Sequence, residues 1–158
     1  MATQQDLIDA LAPLLKDLAE IDHHAPGADE CLQGSWPVHG EAMQAIRALV
    51  AEGIQEGWFA PRGEEGMKWG RLAKSTQETH SYSIDGVVMN GPGLAHTHPN
   101  GEIDLCFAMD GDPRFDGHPE GWVVYGPKSW HVPTVTGGTM AILYFLPDGA
   151  IQFGPRDG

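Results

Sequence analysis

The chain has 158 residues and an apolar content of 41%, which suits a single globular domain with a sizeable core. Nine Lys and Arg against 22 Asp and Glu leave a formal net charge of −13, which argues against binding to nucleic acid or an anionic membrane, since both require a basic surface. No apolar run is long enough to span a bilayer, and the opening MATQQDLIDA lacks the basic-then-apolar pattern of a secretory signal, so a cytoplasmic location is expected.

Residues 4–20 carry Leu7, Leu11, Leu14, Leu15 and Leu18 at spacings of three and four, the mark of an amphipathic helix. Thr3 is placed to cap it, with Asp6 in the first turn, and Pro13 is expected to kink or split it. Residues 21–37 read as a polar connector. It contains His23 and His24, a pair that either faces solvent or offers donors to a metal. A second helix is expected over residues 38–55, with Ala42, Ile46, Leu49, Val50 and Ile54 on its apolar face and Gly57 as its stop.

Beyond Gly57 the pattern changes. GEEGMKWG reads as a glycine-rich loop, and from Gly70 short β-like runs follow one another: GRLAKST, THSYSIDGVVMN, IDLCFAM, GWVVYG, HVPTV, TMAILYFL and AIQF. Asp85-Gly86, Asp110-Gly111, Gly137-Gly138 and Asp148-Gly149 read as the turns between them. Short strands with regular turns predict an antiparallel sandwich or barrel. Helices first and strands later predict that residues 1–57 form a helical extension packed outside a β-rich body of residues 58–158, the whole being one domain. Cys31 and Cys106 are read as free thiols, Cys106 within the core.

Chemistry concentrates in residues 91–103, GPGLAHTHPNGEI. On a strand, positions i and i+2 share a face, so His96 and His98 aim two imidazoles into one space. Pro99-Asn100-Gly101 supplies a turn, which returns the chain and brings Glu102 toward the same point. His131, in YGPKSWHVPTV, is the candidate to complete the set. Three imidazoles and a carboxylate suit a divalent Mn, Fe, Ni, Co or Zn ion. An HxH pair alone can equally be two strand histidines facing solvent or a polar core.

These two stretches resemble the paired motifs of the cupin superfamily. Gly91, His96, His98, Glu102 and Gly111 match the first motif; Gly121, Pro127 and His131 match the second. The departures are a shortened Gly91–His96 interval, a lengthened Glu102–Gly111 interval, Ser129 in place of a glycine, His131 one residue early and Val135 where an asparagine is usual. GRLAKST, GPGLAHTHPNGEIDLCF, GWVVYGPKSWHVPTV and ILYFLPDGAIQF together resemble the 4-hydroxylaminobenzoate lyase family, small cupin-like proteins of nitroarene breakdown. The resemblance implies a mainly β, cupin-type antiparallel barrel or jelly roll with N-terminal helices outside, and commonly a homodimer. It also implies conversion of 4-hydroxylaminobenzoate to 3,4-dihydroxybenzoate (protocatechuate) and ammonia with net addition of water. His96, His98, Glu102 and His131 would be both metal ligands and the catalytic set, with Glu102 or water on the metal handling protons. No dinucleotide fingerprint is present, in keeping with a reaction that needs no nicotinamide.

A benzoate substrate needs a cation and an aromatic surface. Arg71 and Lys74 lie in one strand-like run on opposite faces by parity, so one should point inward; Arg71 is preferred because its guanidinium matches a carboxylate bidentately. Lys74 and Arg62 are the alternatives. Tyr82, Tyr125, Trp130 and Tyr144 can each stack on the ring or serve as core, and His80 can act as a further acid or base or face solvent. Two other functions fit the same residues: another metal-dependent cupin enzyme, such as a small-molecule dioxygenase or isomerase, or a non-enzymatic cupin that binds a metabolite or metal.

Overall fold

The computed structural model describes residues 2–22 and 25–155; His23 and His24 lie outside them. Helix α1 (Gln4–Leu18) opens with a reciprocal capping box between Thr3 and Asp6. Pro13 does not split it: Gln4 to Leu18 is one helix. The segment read as a polar connector contains α2 (Ala28–Ser35), whose apolar face is only Ala28 and Leu32, too sparse to stand out as a period. Helix α3 (Glu41–Glu56) ends where Gly57 adopts the left-handed conformation at φ 90°.

Among the described residues nine strands follow: β1 (Arg62–Glu64), β2 (Met67–Ala73), β3 (Tyr82–Met89), β4 (His96–His98), β5 (Glu102–Phe115), β6 (Gly121–Tyr125), β7 (Ser129–His131), β8 (Val135–Pro147) and β9 (Gln152–Phe153). They make a six-stranded sheet in the order β1-β2-β3-β8-β5-β6 and a three-stranded sheet in the order β7-β4-β9. Every named pairing is antiparallel, and the ladders do not close into a continuous barrel. The expected glycine-rich loop is the β1–β2 hairpin. Of the four expected turns only Asp148-Gly149 is one. Asp85-Gly86 lies inside β3, Asp110-Gly111 inside β5 and Gly137-Gly138 inside β8, where register shifts bend the long β5–β8 pair.

Strand parity divides the large sheet into two faces. Tyr82, Ile84, Ile103, Leu105, Phe107, Trp122, Leu143 and Phe145 pack with Leu7, Leu11, Leu14, Met43, Ile46 and Val50 of the helices in one core. Gly86 is on this face because a Cβ there would sit 2.8 Å from the Phe59 ring. The opposite face carries Val87, Met89, Cys106, Phe115, Val123, Met140, Ile142 and Tyr144. The five buried leucines of α1 contribute about 1.5–3 kcal/mol each by leaving water. No helix among the described residues is long and apolar enough to cross a membrane.

Candidate metal centre and adjoining cavity

Strand β4 is three residues long, His96-Thr97-His98, with both histidines buried and Thr97 on the other face. Gly101 takes φ 92°, and its N–H donates to the His98 carbonyl at 3.2 Å, so the turn delivers Glu102 to the start of β5. Antiparallel pairing of β4 with β7 sets His131 directly opposite His96 and Ser129 opposite His98. Donor atoms of His96, His98, Glu102 and His131 thereby all lie within 4.8 Å of one another.

Each imidazole is oriented through its Nδ1. That of His96 donates to the Leu94 carbonyl at 3.0 Å. The Ser129 hydroxyl donates to the Gly126 carbonyl at 2.6 Å, which leaves its oxygen to accept from His98 Nδ1 at 2.8 Å. His131 Nδ1 donates to Asp116 Oδ2 at 2.6 Å. Three Nδ1 protons fixed in this way leave three Nε2 lone pairs directed inward. His131 and His96 Nε2 are 3.1 Å apart. The three Nε2 atoms lie 3.5, 3.2 and 3.7 Å from Glu102 oxygens, for His96, His98 and His131 respectively. Bonds of about 2.0–2.2 Å to a common centre produce donor separations of roughly 3.0–3.6 Å.

The residues fit a divalent cation on their own chemistry. Two acceptor nitrogens at 3.1 Å need a positive charge between them. His98 Nε2 and both Glu102 oxygens are buried without a hydrogen-bond partner. Burial alone would raise the Glu102 pKa, yet His96 and His98 hold it well below the usual carboxylate range. Burial likewise opposes a charged His96, and Glu102 outweighs it, raising the His96 pKa. The field at this point favours a cation.

Residues unmarked in the sequence complete the surroundings. Asp116, in a turn at φ 48°, accepts from His131, from the Tyr125 hydroxyl at 2.5 Å and from the Thr134 N–H at 2.9 Å. Its pKa is lowered because these bonds outweigh burial. Asp104, two residues after Glu102 on the same face, is fully buried with both oxygens unpartnered. Burial and the Glu102 charge push its pKa well above the usual range. Ser129, the departure from the motif, is what fixes His98. Strand parity from Glu102 marks Asp104; nothing local marks Asp116, whose partner is 15 residues away.

Beside the cluster is a cavity of about 340 Å³ lined by Met67, Trp69, Arg71, Asp85, Leu94, His96, Tyr144, Ile151 and Phe153 among others. Leu94, Phe153 and Trp69 are 65%, 62% and 45% exposed, so its mouth is apolar and open to solvent. Arg71 is its one Lys or Arg among the described residues, paired with Asp85. Tyr144 lies 6.5 Å from His96, ring to ring.

The other tyrosines are elsewhere. Tyr82 is on the helix-facing side, where its hydroxyl donates to the Leu18 carbonyl at 2.8 Å; even-numbered positions of β3 turn away from the cavity. Tyr125 stacks on His98 with ring centres 5.3 Å apart, its hydroxyl held by Asp116, so it braces the four-donor cluster instead of lining the cavity. Trp130 donates to the Gly154 carbonyl. His80 is exposed in a turn at φ 53° rather than on a strand, and neither Lys74 nor Arg62 lines the cavity.

Comparison with known proteins agrees with the motif resemblance. The family model described as PnbB, 4-hydroxylaminobenzoate lyase, matches residues 13–153. A 4-hydroxylaminobenzoate lyase of Nocardioides sp. (strain LMS-CY) is 32% identical over 97% of this chain and 96% of its own. One from Pseudomonas putida is 30% identical over 72% of this chain and 74% of its own. Among solved structures, an RmlC-like cupin protein from Ralstonia eutropha JMP134 is similar at a TM-score of 0.43 and 14% identity, covering 63% of this chain and 67% of that one. With a family match spanning nearly the whole length, and relatives at 30% identity and above, the chain belongs to the 4-hydroxylaminobenzoate lyase family.

Proposed function

We propose that this protein is a metal-dependent lyase that converts 4-hydroxylaminobenzoate to 3,4-dihydroxybenzoate and ammonia, a step in nitroaromatic degradation. The observation that carries the reading is the juxtaposition of the four-donor cluster with an apolar cavity that holds the Arg71 guanidinium. His96, His98, Glu102 and His131 would hold the ion, which when bound supplies Lewis acidity toward an oxygen of the substrate or water.

The chain's own groups account for binding and orientation. Trp69, Leu94, Tyr144 and Phe153 offer the ring an apolar surface. Arg71 takes the carboxylate at the cavity's polar edge, which turns the hydroxylamino end toward His96. The N–O bond breaks with its electron pair leaving on oxygen as water. A second water adds at the ring carbon beside the nitrogen. Hydrolysis of the resulting imine releases ammonia, and loss of the ring proton restores aromaticity. Glu102 lies 3.2–3.7 Å from all three histidine Nε2 atoms and is the carboxylate placed to relay a proton.

Purified protein incubated with 4-hydroxylaminobenzoate under nitrogen should form 3,4-dihydroxybenzoate and ammonia in equal amounts, and a chelator should stop it. Product that forms only with oxygen consumption would assign a dioxygenase instead. Arg71→Lys keeps the charge and loses the fork. It should reduce turnover of 4-hydroxylaminobenzoate by roughly tenfold or more, with a smaller effect on hydroxylaminobenzene, which lacks the carboxylate.

A further inference from the structure

Arg71 and Asp85 are directly opposed across β2 and β3, and both line the cavity. Arg71 Nε donates to Asp85 Oδ1 at 2.8 Å and Nη2 donates to Oδ2 at 3.4 Å. Asp85 therefore grips the side edge of the guanidinium. Nη1 has no hydrogen bond among the described residues, so the end-on edge, Nη1 with the remaining hydrogen of Nη2, is the one free for a ligand. The side chains are 45% and 20% exposed, and an ion pair so open to solvent adds little to stability. Its negative member also lies beside the place where an anionic substrate must bind, an arrangement that costs attraction and gains direction.

Asp85 is opposite Tyr144 on β8, and Tyr144 is opposite Asp104 on β5. Arg71, Asp85, Tyr144 and Asp104 thus form one cross-strand row, running from the cavity's polar edge to the strand that begins with Glu102. A guanidinium fixed to this row has one orientation relative to the metal ligands; unpaired, its several rotatable bonds would allow many.

We propose that Asp85 is a positioning residue that acts through Arg71, fixing the free edge of the guanidinium so that only the isomer with its nitrogen opposite the carboxylate presents it to the metal cluster. The inference rests on the reading of Arg71 as the carboxylate partner. The test compares wild type, Asp85→Asn and Arg71→Lys on 4-hydroxylaminobenzoate, 3-hydroxylaminobenzoate and hydroxylaminobenzene, with metal content and melting temperature recorded for each. Asp85→Ser serves as a second variant should the first pack poorly.

The expected result for Asp85→Asn is a fall in kcat of roughly tenfold to a hundredfold on 4-hydroxylaminobenzoate without a rise in KM. The preference for the 4-isomer over the 3-isomer should narrow, and hydroxylaminobenzene should be little affected. Equal losses on all three substrates would make Asp85 merely structural and overturn the inference. So would an unchanged kcat with a lowered KM, which would make Asp85 a counter-charge only. If Arg71→Lys is selective for the carboxylated substrates and Asp85→Asn is not, the inference alone fails. If Arg71→Lys spares or harms all three alike, the carboxylate reading of Arg71 fails with it.

Discussion

Asp116 holds His131 from a tight turn, in a backbone conformation that few non-glycine residues adopt. Three donors meet its carboxylate, and the His131 bond sets which ring nitrogen is left for a metal. Asp116→Asn preserves the shape and removes the charge. It should weaken binding of a divalent ion by roughly tenfold to a hundredfold, read by competition with a colorimetric chelator, while the helices stay intact by circular dichroism. His96, His98 and Glu102 were legible in the sequence because β-strand parity and a Pro-Asn-Gly turn are local rules; His131 was marked by its own motif, and the pairing of β4 with β7 brings it in. Asp116 was not legible, since it reaches His131 only through the pairing of the end of β5 with the start of β8, which sets it beside Thr134. Ser129 looked like a flaw in the motif and is instead the partner of His98.

At the scale of elements, Tyr82 shows how the sheet fastens to the helices. Its ring lies in the shared core, and its hydroxyl reaches the carbonyl of Leu18, the last residue of α1. Burial pushes its pKa from 10.0 up to about 12. Between these values the folded state keeps a proton that the unfolded state releases. The Tyr82 contribution is therefore whole below pH 10.0 and is lost as pH rises through about 12. Tyr82→Phe should cost about 1 kcal/mol at neutral pH through the lost hydrogen bond. That deficit should shrink as pH climbs past 10, measured by urea midpoints at each pH; a constant deficit would show that Tyr82 does not titrate on unfolding. Long strands were harder to read than helices. Asp85-Gly86 resembles a hairpin turn, yet Gly86 is there to admit the Phe59 ring, a contact between residues far apart in the chain. In β5 and β8 the paired glycines meet each other: a Cβ on Gly138 would fall 2.2 Å from the Asp110 carbonyl oxygen.

For the molecule as a whole, the helices cover one face of the six-stranded sheet. Phe107, Trp122 and Phe145 are 0–1% exposed in the cluster they share with Leu7, Leu11 and Val50. A chain beginning at residue 58 should therefore expose this face and aggregate, detected as light scattering and dye binding; a soluble monomer of unchanged melting temperature would contradict the packing. The layout of helices outside an antiparallel β body could be foreseen because the hydrophobic period changes from three-four to short runs near Gly57. That the ladders stop short of a closed barrel could not, because closure depends on the tilt and stagger of strands, which no local pattern encodes.

Strand β8 lies between β3 and β5, although it is made after both of them. While a ribosome adds residues at about 5–20 per second, His96 and His98 emerge several seconds before their neighbours in space. The nascent helices meanwhile have no sheet to cover, and the strand bearing the first two ligands has neither β7 nor β9 beside it. Assembly of the four-donor cluster is thereby deferred until β7 has been made. Emergence of His131 on β7, rather than of the HxH pair, should be the moment at which the four donors can first compete for a divalent ion.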